Sequence, residues 1–145
     1  MRAGLIGCLG LTLLAGPAQA EPTGTVVVKL EGLRSDAGQV IVALYTTEDG
    51  FPLNLDKAPF LVKASVSQGA ATVRVPGVRL GQVAVAGIHD ENGNNTLDTY
   101  IIGIPKEGVA CSNNAHGRFG PPDFSDAALS FSADGQVVVM KMAYL

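Results

Sequence analysis

The feature that most constrains this chain is the alternation of apolar and polar side chains at a period of two. Residues 25–33 place Val26, Val28 and Leu30 on one face of an extended chain, and residues 39–46 repeat the pattern. Aliphatic and β-branched residues in such alternation are typical of strands with one buried and one solvated face. The short Asp/Gly connection between the two runs predicts that they pair as a hairpin.

Further runs of the same type follow at frequent intervals, separated by Gly, Pro, Asp and Ser. The predicted strands are residues 60–66, 71–75, 82–89 and 96–102, with a terminal hairpin of residues 127–132 and 136–144. One helical turn is expected at residues 53–57, and no window has a convincing 3.6-residue period. The pattern predicts an all-β fold, an immunoglobulin-like or transthyretin-like antiparallel sandwich of seven or eight strands, with a small β-barrel as the alternative.

The first twenty residues have the composition of a cleavable export signal. Arg2 precedes an apolar run from Leu5 to Ala15, and Ala18-Gln19-Ala20 matches the small-x-small pattern of a cleavage site. The run is too short to cross a hydrocarbon layer of about 30 Å. We therefore expect residues 21–145 to form one domain in the periplasm or the medium, with no transmembrane segment after cleavage.

Charge and cysteine content restrict the possible functions. Residues 21–145 hold 9 basic and 13 acidic residues, a net charge of −4, and contain no basic block. Nucleic-acid binding needs a patch of phosphate-neutralising bases, so that class is excluded. Cys8 lies in the predicted signal, which leaves Cys111 without an intramolecular disulfide partner. The role of Cys111 stays open between a buried thiol and an intermolecular bridge.

The run from Asp90 to Asp98 has the spacing of a calcium-binding loop. Asp90, Asn92, Asn94 and Asp98 stand at positions one, three, five and nine, and Thr96 offers a backbone carbonyl at position seven. Calcium takes six to eight oxygen ligands from flexible loops of this kind. The sequence therefore indicates calcium as a candidate cofactor, and it indicates no other.

Two positions depart from the calcium pattern. Asn95 stands at position six, where Gly makes the sharp turn, although Asn also tolerates a positive φ. Ile101 stands at position twelve and supplies no carboxylate, so we expect a dissociation constant of about 10⁻⁴–10⁻³ M. Glu107 is a further candidate to complete the ligand shell. Without a metal, Asn92-Gly93 predicts an ordinary β-turn with local side-chain hydrogen bonds.

The remaining candidate residues lie next to this loop or in the long stretch 103–125. His89 ends a predicted strand and is a candidate metal ligand or general base, with Asp90 or Glu107 as its partner. Its alternative role is a hydrogen bond to a neighbouring loop. Long loops in compact domains often carry function. The polar candidates within this one are Asn113, Asn114 and His116. Cys111-Ser112 lacks the sequence context of a catalytic nucleophile.

Three classes of function remain. The first is an exported, non-enzymatic module whose loops in residues 89–126 form a binding or assembly surface for an unidentified partner. The second is a hydrolase or isomerase that uses His89 with Asp90 or Glu107, in a concave pocket. The third is a carbohydrate-binding module, which requires an exposed aromatic platform. The chain has no Trp and only three Tyr, namely Tyr45, Tyr100 and Tyr144.

Several strings in this chain resemble the signature of an uncharacterised bacterial family, domain-of-unknown-function family 2141. They include His-Asp-Glu-Asn-Gly-Asn-x-x-Leu-Asp (89–98), Gly-Ile-Pro-Lys-Glu-Gly (103–108), Ser-Asn-Asn-Ala (112–115), Phe-Ser-Asp-Ala (124–127), Leu-x-Gly-Leu (30–33) and Gly-x-Val-x-Val-Ala-Leu-Tyr (38–45). The resemblance implies exported sandwich proteins with no assigned activity. This chain departs from it at Asn95, where the family pattern has Gly.

Overall fold

The alternating runs become eight strands in the computed structural model, which describes residues 10–145. The strands are β1 (Thr23–Glu31), β2 (Gln39–Tyr45), β3 (Phe60–Ser65), β4 (Ala71–Arg79), β5 (Gly81–Asp90), β6 (Gly108–Cys111), β7 (Leu129–Phe131) and β8 (Val137–Lys141). Helix is confined to short pieces in the described part. These are two 3₁₀ turns, Leu55–Lys57 and Ser112–Asn114, and the four-residue helix α1 (Phe124–Ala127).

The strands form two sheets. One has the order β4-β1-β8, and the other has the order β3-β2-β5-β6, with β7 paired to the start of β5. All pairs are antiparallel except β1 with β8. The sandwich prediction is confirmed. The small-barrel alternative is wrong, because the two sheets of residues 10–145 do not join into a closed ring.

The dry interior lies between the two sheets and consists mainly of the predicted apolar faces. Its fully buried members include Val26, Val28, Leu30, Val40, Val42, Leu44, Val83, Val85, Phe131 and Met140. Each buried aliphatic side chain of this size contributes about 1.5–3 kcal/mol. Gly87 faces this interior, where a Cβ atom would lie 3.0 Å from Leu30 Cδ2 and 3.1 Å from Met140 Cε. A Cβ atom there would require the ends of these two side chains to shift by a few tenths of an ångström.

Two predicted hairpins are wrong. β1 pairs with β4 and β8, whereas β2 pairs with β3 and β5, so the first two strands belong to different sheets. The carboxylate of Asp36 in the intervening loop accepts the N–H groups of Gln68 and Gly69 instead of closing a local turn. At the other end of the chain, β7 pairs with β5 and β8 pairs with β1.

The sixth predicted strand, residues 96–102, does not form in the structure. The sixth strand is β6, which lies inside the stretch 103–125 that was expected to be irregular. Residues 96–102 have strand-forming side chains, but the polar groups of Asp98 and its neighbours bind within their own loop. Local hydrogen bonds therefore override the intrinsic strand preference here.

The beginning of the predicted signal, including Arg2 and Cys8, lies outside the described residues. Residues 10–20 are exposed and carry no regular secondary structure. Strand pairing begins with Thr23 opposite Arg79, and the Leu80 N–H donates to the Pro22 carbonyl. Among residues 10–145, no helix is both long enough and apolar enough to span a membrane.

Candidate functional site

The loop after β5 is organised around the buried carboxylate of Asp90. Its Oδ1 accepts the N–H of Asn94 at 3.1 Å, and its Oδ2 accepts the N–H of Asn95 at 2.9 Å. Gln39, its register partner on β2, donates its side-chain amide to Oδ2 at 2.8 Å. A buried carboxylate is costly unless its oxygens are hydrogen-bonded, so this acid and this loop conformation stabilise each other.

The loop then turns through successive asparagines. Asn92 Oδ1 accepts the Asn94 N–H at 3.1 Å, and Asn94 Oδ1 accepts the Thr96 N–H at 3.0 Å. Asn95 has a φ of 65°, so it adopts the left-handed conformation that Gly would provide at this position. Its Oδ1 accepts hydrogen bonds from Gln39 and from Lys63 on β3. Asn95 therefore keeps the turn and adds an anchor to the sheet.

Two more acids close the loop. Asp98 accepts hydrogen bonds from the side-chain amides of Asn92 and Asn94 at 2.5–3.0 Å. Glu107, also buried, accepts the N–H of Glu91 and the N–H of Asp98, each at 3.1 Å. Glu107 thus connects the first and last parts of the loop. We call residues 89–107 the Asp90 region.

The acids of the Asp90 region differ in their charge partners. Within residues 10–145, Asp90, Asp98 and Glu107 form no salt bridge, whereas Glu91 pairs with Arg34. The described residues contain no group of three His, Cys, Asp or Glu side chains arranged to hold a metal. Any cation at this loop would therefore need amide and backbone oxygens of Asn92, Asn94 and Thr96 in addition to carboxylates.

His89 is fully buried and has both ring nitrogens engaged. Nε2 lies 2.8 Å from the Ala37 carbonyl, which can only accept, so Nε2 carries the hydrogen. Nδ1 lies 2.8 Å from the Tyr144 hydroxyl, and the hydroxyl oxygen accepts the Arg34 N–H at 3.0 Å. Both ring nitrogens of His89 are therefore hydrogen-bonded, as the loop-bonding alternative expects.

Sequence reasoning missed the cluster around Tyr144. The Arg34 guanidinium lies 4.5 Å from the centre of the Tyr144 ring and donates to Glu91 at 2.5 Å and 3.0 Å. The hydrogen bond from Arg34 lowers the pKa of Glu91, and burial raises the pKa of Tyr144. The three residues come from three distant segments, so no local sequence signal could have joined them.

The other candidates lie elsewhere. β6 runs from Gly108, opposite His89, to Cys111, opposite Ala86, and so leads the chain away from Asp90. Asn113 donates to the carbonyls of Asp126 and Ala128, and Asn114 accepts the N–H of Lys141. His116 is exposed. The predicted site residues therefore divide into two groups, and we call residues 111–128 the Ser112 region.

The Ser112 region is built on a buried hydroxyl and a small apolar cluster. Ser112 Oγ accepts the N–H of Val85 at 2.9 Å and donates to the Ala127 carbonyl at 2.6 Å. Burial raises the pKa of the neighbouring Cys111 thiol to about 12, so the reactive thiolate is suppressed. Tyr45 packs in the same cluster, and burial raises its pKa to about 12 as well. Cys111 is a buried packing residue.

Among the clefts on the surface of the described residues, two of similar volume are lined by neither His89 nor Ser112. One, of about 560 Å³, lies between residues 48–52 and 121–125, and the other, of about 520 Å³, lies between residues 53–56 and 95–99. Neither of these two clefts therefore gives His89 the pocket that an enzyme using it requires. The tyrosines share no exposed face either, because Tyr45 is buried and Tyr144 lies under Arg34.

The fold and the loop define a two-sheet β-sandwich protein whose Asx-rich loop is anchored to residues on β2, β3 and β5 of one sheet. A model of the family described as uncharacterized proteins conserved in bacteria, DUF2141, matches residues 28–139, and the chain belongs to this family. The resemblance seen in the sequence strings is confirmed. Neither the curated proteins nor the solved structures contained a match to this chain.

Proposed function

We propose that this protein is a non-enzymatic β-sandwich module that acts in the periplasm or the medium, and that the loop of residues 90–98 binds calcium. The observation that carries the proposal is the winding of this loop around the buried Asp90 carboxylate. The N–H groups of Asn94 and Asn95, at positions five and six of the loop, both bind this carboxylate. The export signal predicted at residues 1–20 supports the location, where calcium reaches millimolar concentrations.

The chemistry of the loop supports calcium over softer metals. The side chains at positions one, three, five and nine offer carboxylate and amide oxygens, which are the ligands that calcium prefers. Asp98 has amide N–H groups as its partners in place of a cation. A bound calcium ion would replace these neutral donors with a divalent cation, while Glu107 holds the two ends of the loop together.

The function of such an ion would be to stiffen one end of the sandwich. Of residues 91–107, only Thr99 and Pro105 take part in strand-type bridging, as a single isolated pair. The conformation of residues 91–98 depends mainly on side-chain hydrogen bonds, which exchange more readily than strand pairing. A cation shared by several of these oxygens would lower the conformational freedom of the loop and so favour a fixed binding or assembly surface.

The experiment compares thermal unfolding with and without calcium in the parent and in Asp98→Asn. With a dissociation constant near 1 mM, about 10 mM calcium stabilises the native state by roughly 1.4 kcal/mol, which corresponds to a rise of a few degrees in the melting temperature. We expect Asp98→Asn to lose most of this rise, because it removes one of two charged ligands. Asp98 is half-buried in the loop, whereas the control Asp123→Asn changes an exposed acid in the Ser112 region.

Calcium titration calorimetry on the same three proteins measures binding directly. The proposal requires heat of binding in the parent and in Asp123→Asn, and a much weaker signal in Asp98→Asn. No shift in the melting temperature of the parent, or an equal shift in Asp98→Asn, would contradict it.

A further inference from the structure

We infer that the tip of the Asp90 region, residues 100–104, inserts into the surface of a lipid bilayer. Its side chains are Tyr100, Ile101, Ile102 and Ile104, which are 54%, 107%, 78% and 40% exposed. Ile101 and Ile102 occupy the two central positions of a β-turn, where Gly, Pro, Asn and Asp are the usual residues. Neither isoleucine contributes to the hydrophobic core, so their presence at the apex needs another explanation.

The tip is held away from the body of the protein. The Tyr100 N–H donates to the Ile104 carbonyl and the Gly103 N–H donates to the Tyr100 carbonyl, both at 2.8 Å. Below this turn, Thr99 bridges to Pro105, and the Lys106 N–H donates to the Asp98 carbonyl at 2.8 Å. These bonds form a short hairpin, so the isoleucines project into solvent instead of folding back onto the sheet.

The size of the tip favours lipid over a protein partner. A stable protein interface buries about 800 Å² on each partner, which four side chains on one turn do not supply. Two copies of the chain that met tip to tip would also bury too little surface area for a stable interface. Transfer into a bilayer needs no complementary surface, since each apolar side chain adds its own contribution. A protruding apolar apex is therefore better suited to lipid.

The residues at the base of the tip fit the boundary between hydrocarbon and water. Lys106 Nζ lies 5.1 Å from the centre of the Tyr100 ring, so the ammonium group and the aromatic face stabilise each other. Tyr and Lys are the residue types that place an apolar body in hydrocarbon and a polar end among headgroups. The acidic residues Asp98 and Glu107 flank this tip in the chain. We therefore expect zwitterionic lipid, which has no net charge, to be preferred to anionic lipid.

Fluorescence can test the insertion directly, because the chain contains no Trp. Ile101→Trp places a single indole at the apex, and the matched control Val139→Trp places one at a half-exposed position on β8. With phosphatidylcholine vesicles, we expect the emission of Ile101→Trp to shift to the blue and to be quenched by brominated lipid chains. We expect the emission of Val139→Trp to stay unchanged.

A pair of double variants measures the contribution of the tip in the full chain. We expect I101T/I102T to bind vesicles roughly tenfold more weakly than the parent, because two exposed aliphatic side chains are lost. V137T/V139T removes two other exposed aliphatic side chains and should bind as the parent does. Equal circular dichroism spectra and equal urea midpoints show that the variants remain folded.

Three results would overturn the inference. They are an unshifted emission of Ile101→Trp with vesicles, an equal shift in Val139→Trp, and a concentration-dependent shift of Ile101→Trp without lipid, which would indicate self-association. The inference does not require calcium. If the emission shifts with vesicles in a chelating buffer while calcium fails to change the melting temperature, the tip inserts and the calcium proposal alone is wrong.

Discussion

The Asp90 region and the Ser112 region flank the same sheet, yet different chemistry stabilises them. In the Asp90 region, two buried carboxylates accept backbone N–H groups from an irregular loop. In the Ser112 region, one neutral hydroxyl joins β5 to the end of α1, and alanines and aromatic rings fill the space around it. The first arrangement gathers several carboxylate and amide oxygens in one loop, whereas the second is organised around a single neutral hydroxyl. The calcium proposal therefore concerns the Asp90 region.

The largest expected effect tests whether Asp90 organises its region. Asp90→Ala leaves two backbone N–H groups and the Gln39 amide without their acceptor, so we expect a loss of about 3 kcal/mol in the free energy of unfolding. Urea unfolding with linear extrapolation measures it. Asp98→Ala, in calcium-free buffer, is the control and should cost much less, because its partners are exposed side chains. Equal losses in the two variants would show that Asp90 has no special role.

The second effect concerns the hydroxyl that closes the Ser112 region. Ser112→Ala leaves the Val85 N–H and the Ala127 carbonyl unpaired inside the protein, and we expect a loss of about 2 kcal/mol. Ser125→Ala, at an exposed position of the same region, should change the free energy of unfolding by less than about 0.5 kcal/mol. A loss in Ser112→Ala no larger than that in Ser125→Ala would mean that water satisfies both groups.

The smallest expected effect is a dependence of the free energy of unfolding on pH, which comes from the buried Cys111 thiol of the Ser112 region. The pKa of Cys111 is raised from 9.0 to about 12, so the folded state holds a proton that the unfolded state releases above pH 9. This contribution to stability is present below pH 9 and is lost as the pH rises. Between about pH 8 and pH 10 we expect a loss of roughly 1 kcal/mol from this thiol.

Cys111→Ala should therefore have a flatter decline of the free energy of unfolding with pH than the parent. Tyr45 adds a loss in the same direction above its ordinary pKa of 10.0, and it remains in both proteins. Urea unfolding at a series of pH values gives the two slopes. Parallel slopes would mean that Cys111 is accessible to water, and a thiol-reactive probe would then label it in the folded protein.

The period-two pattern predicted the inward faces of most strands, and it did so for a physical reason. Side chains of a strand alternate between its two faces, so Val26, Val28 and Leu30 must enter the core together or not at all. The same pattern contains no information on which strand edges meet. β1 and β2 therefore looked like a hairpin, although each pairs with strands further along the chain.

The spacing of Asp90, Asn92 and Asn94 likewise predicted a tight polar turn, because Asp and Asn side chains bind backbone groups a few residues away. It did not predict that Gln39, Lys63 and Glu107 would anchor that turn. These partners come from other strands and loops. The spacing pattern contains no information on such distant partners, and the calcium interpretation stays a prediction.

By itself, the sequence determined the fold class, the membership of a bacterial family and the side chains that turn inward, because all three depend on local order along the chain. Only the tertiary structure decided the division of the strands between two sheets, the burial of His89 against Ala37 and Tyr144, and the separation of the Asp90 and Ser112 regions. Those features arise from contacts between residues that lie more than fifty positions apart in several cases. Packing and hydrogen-bond satisfaction across the whole domain select such contacts, and no local pattern encodes them.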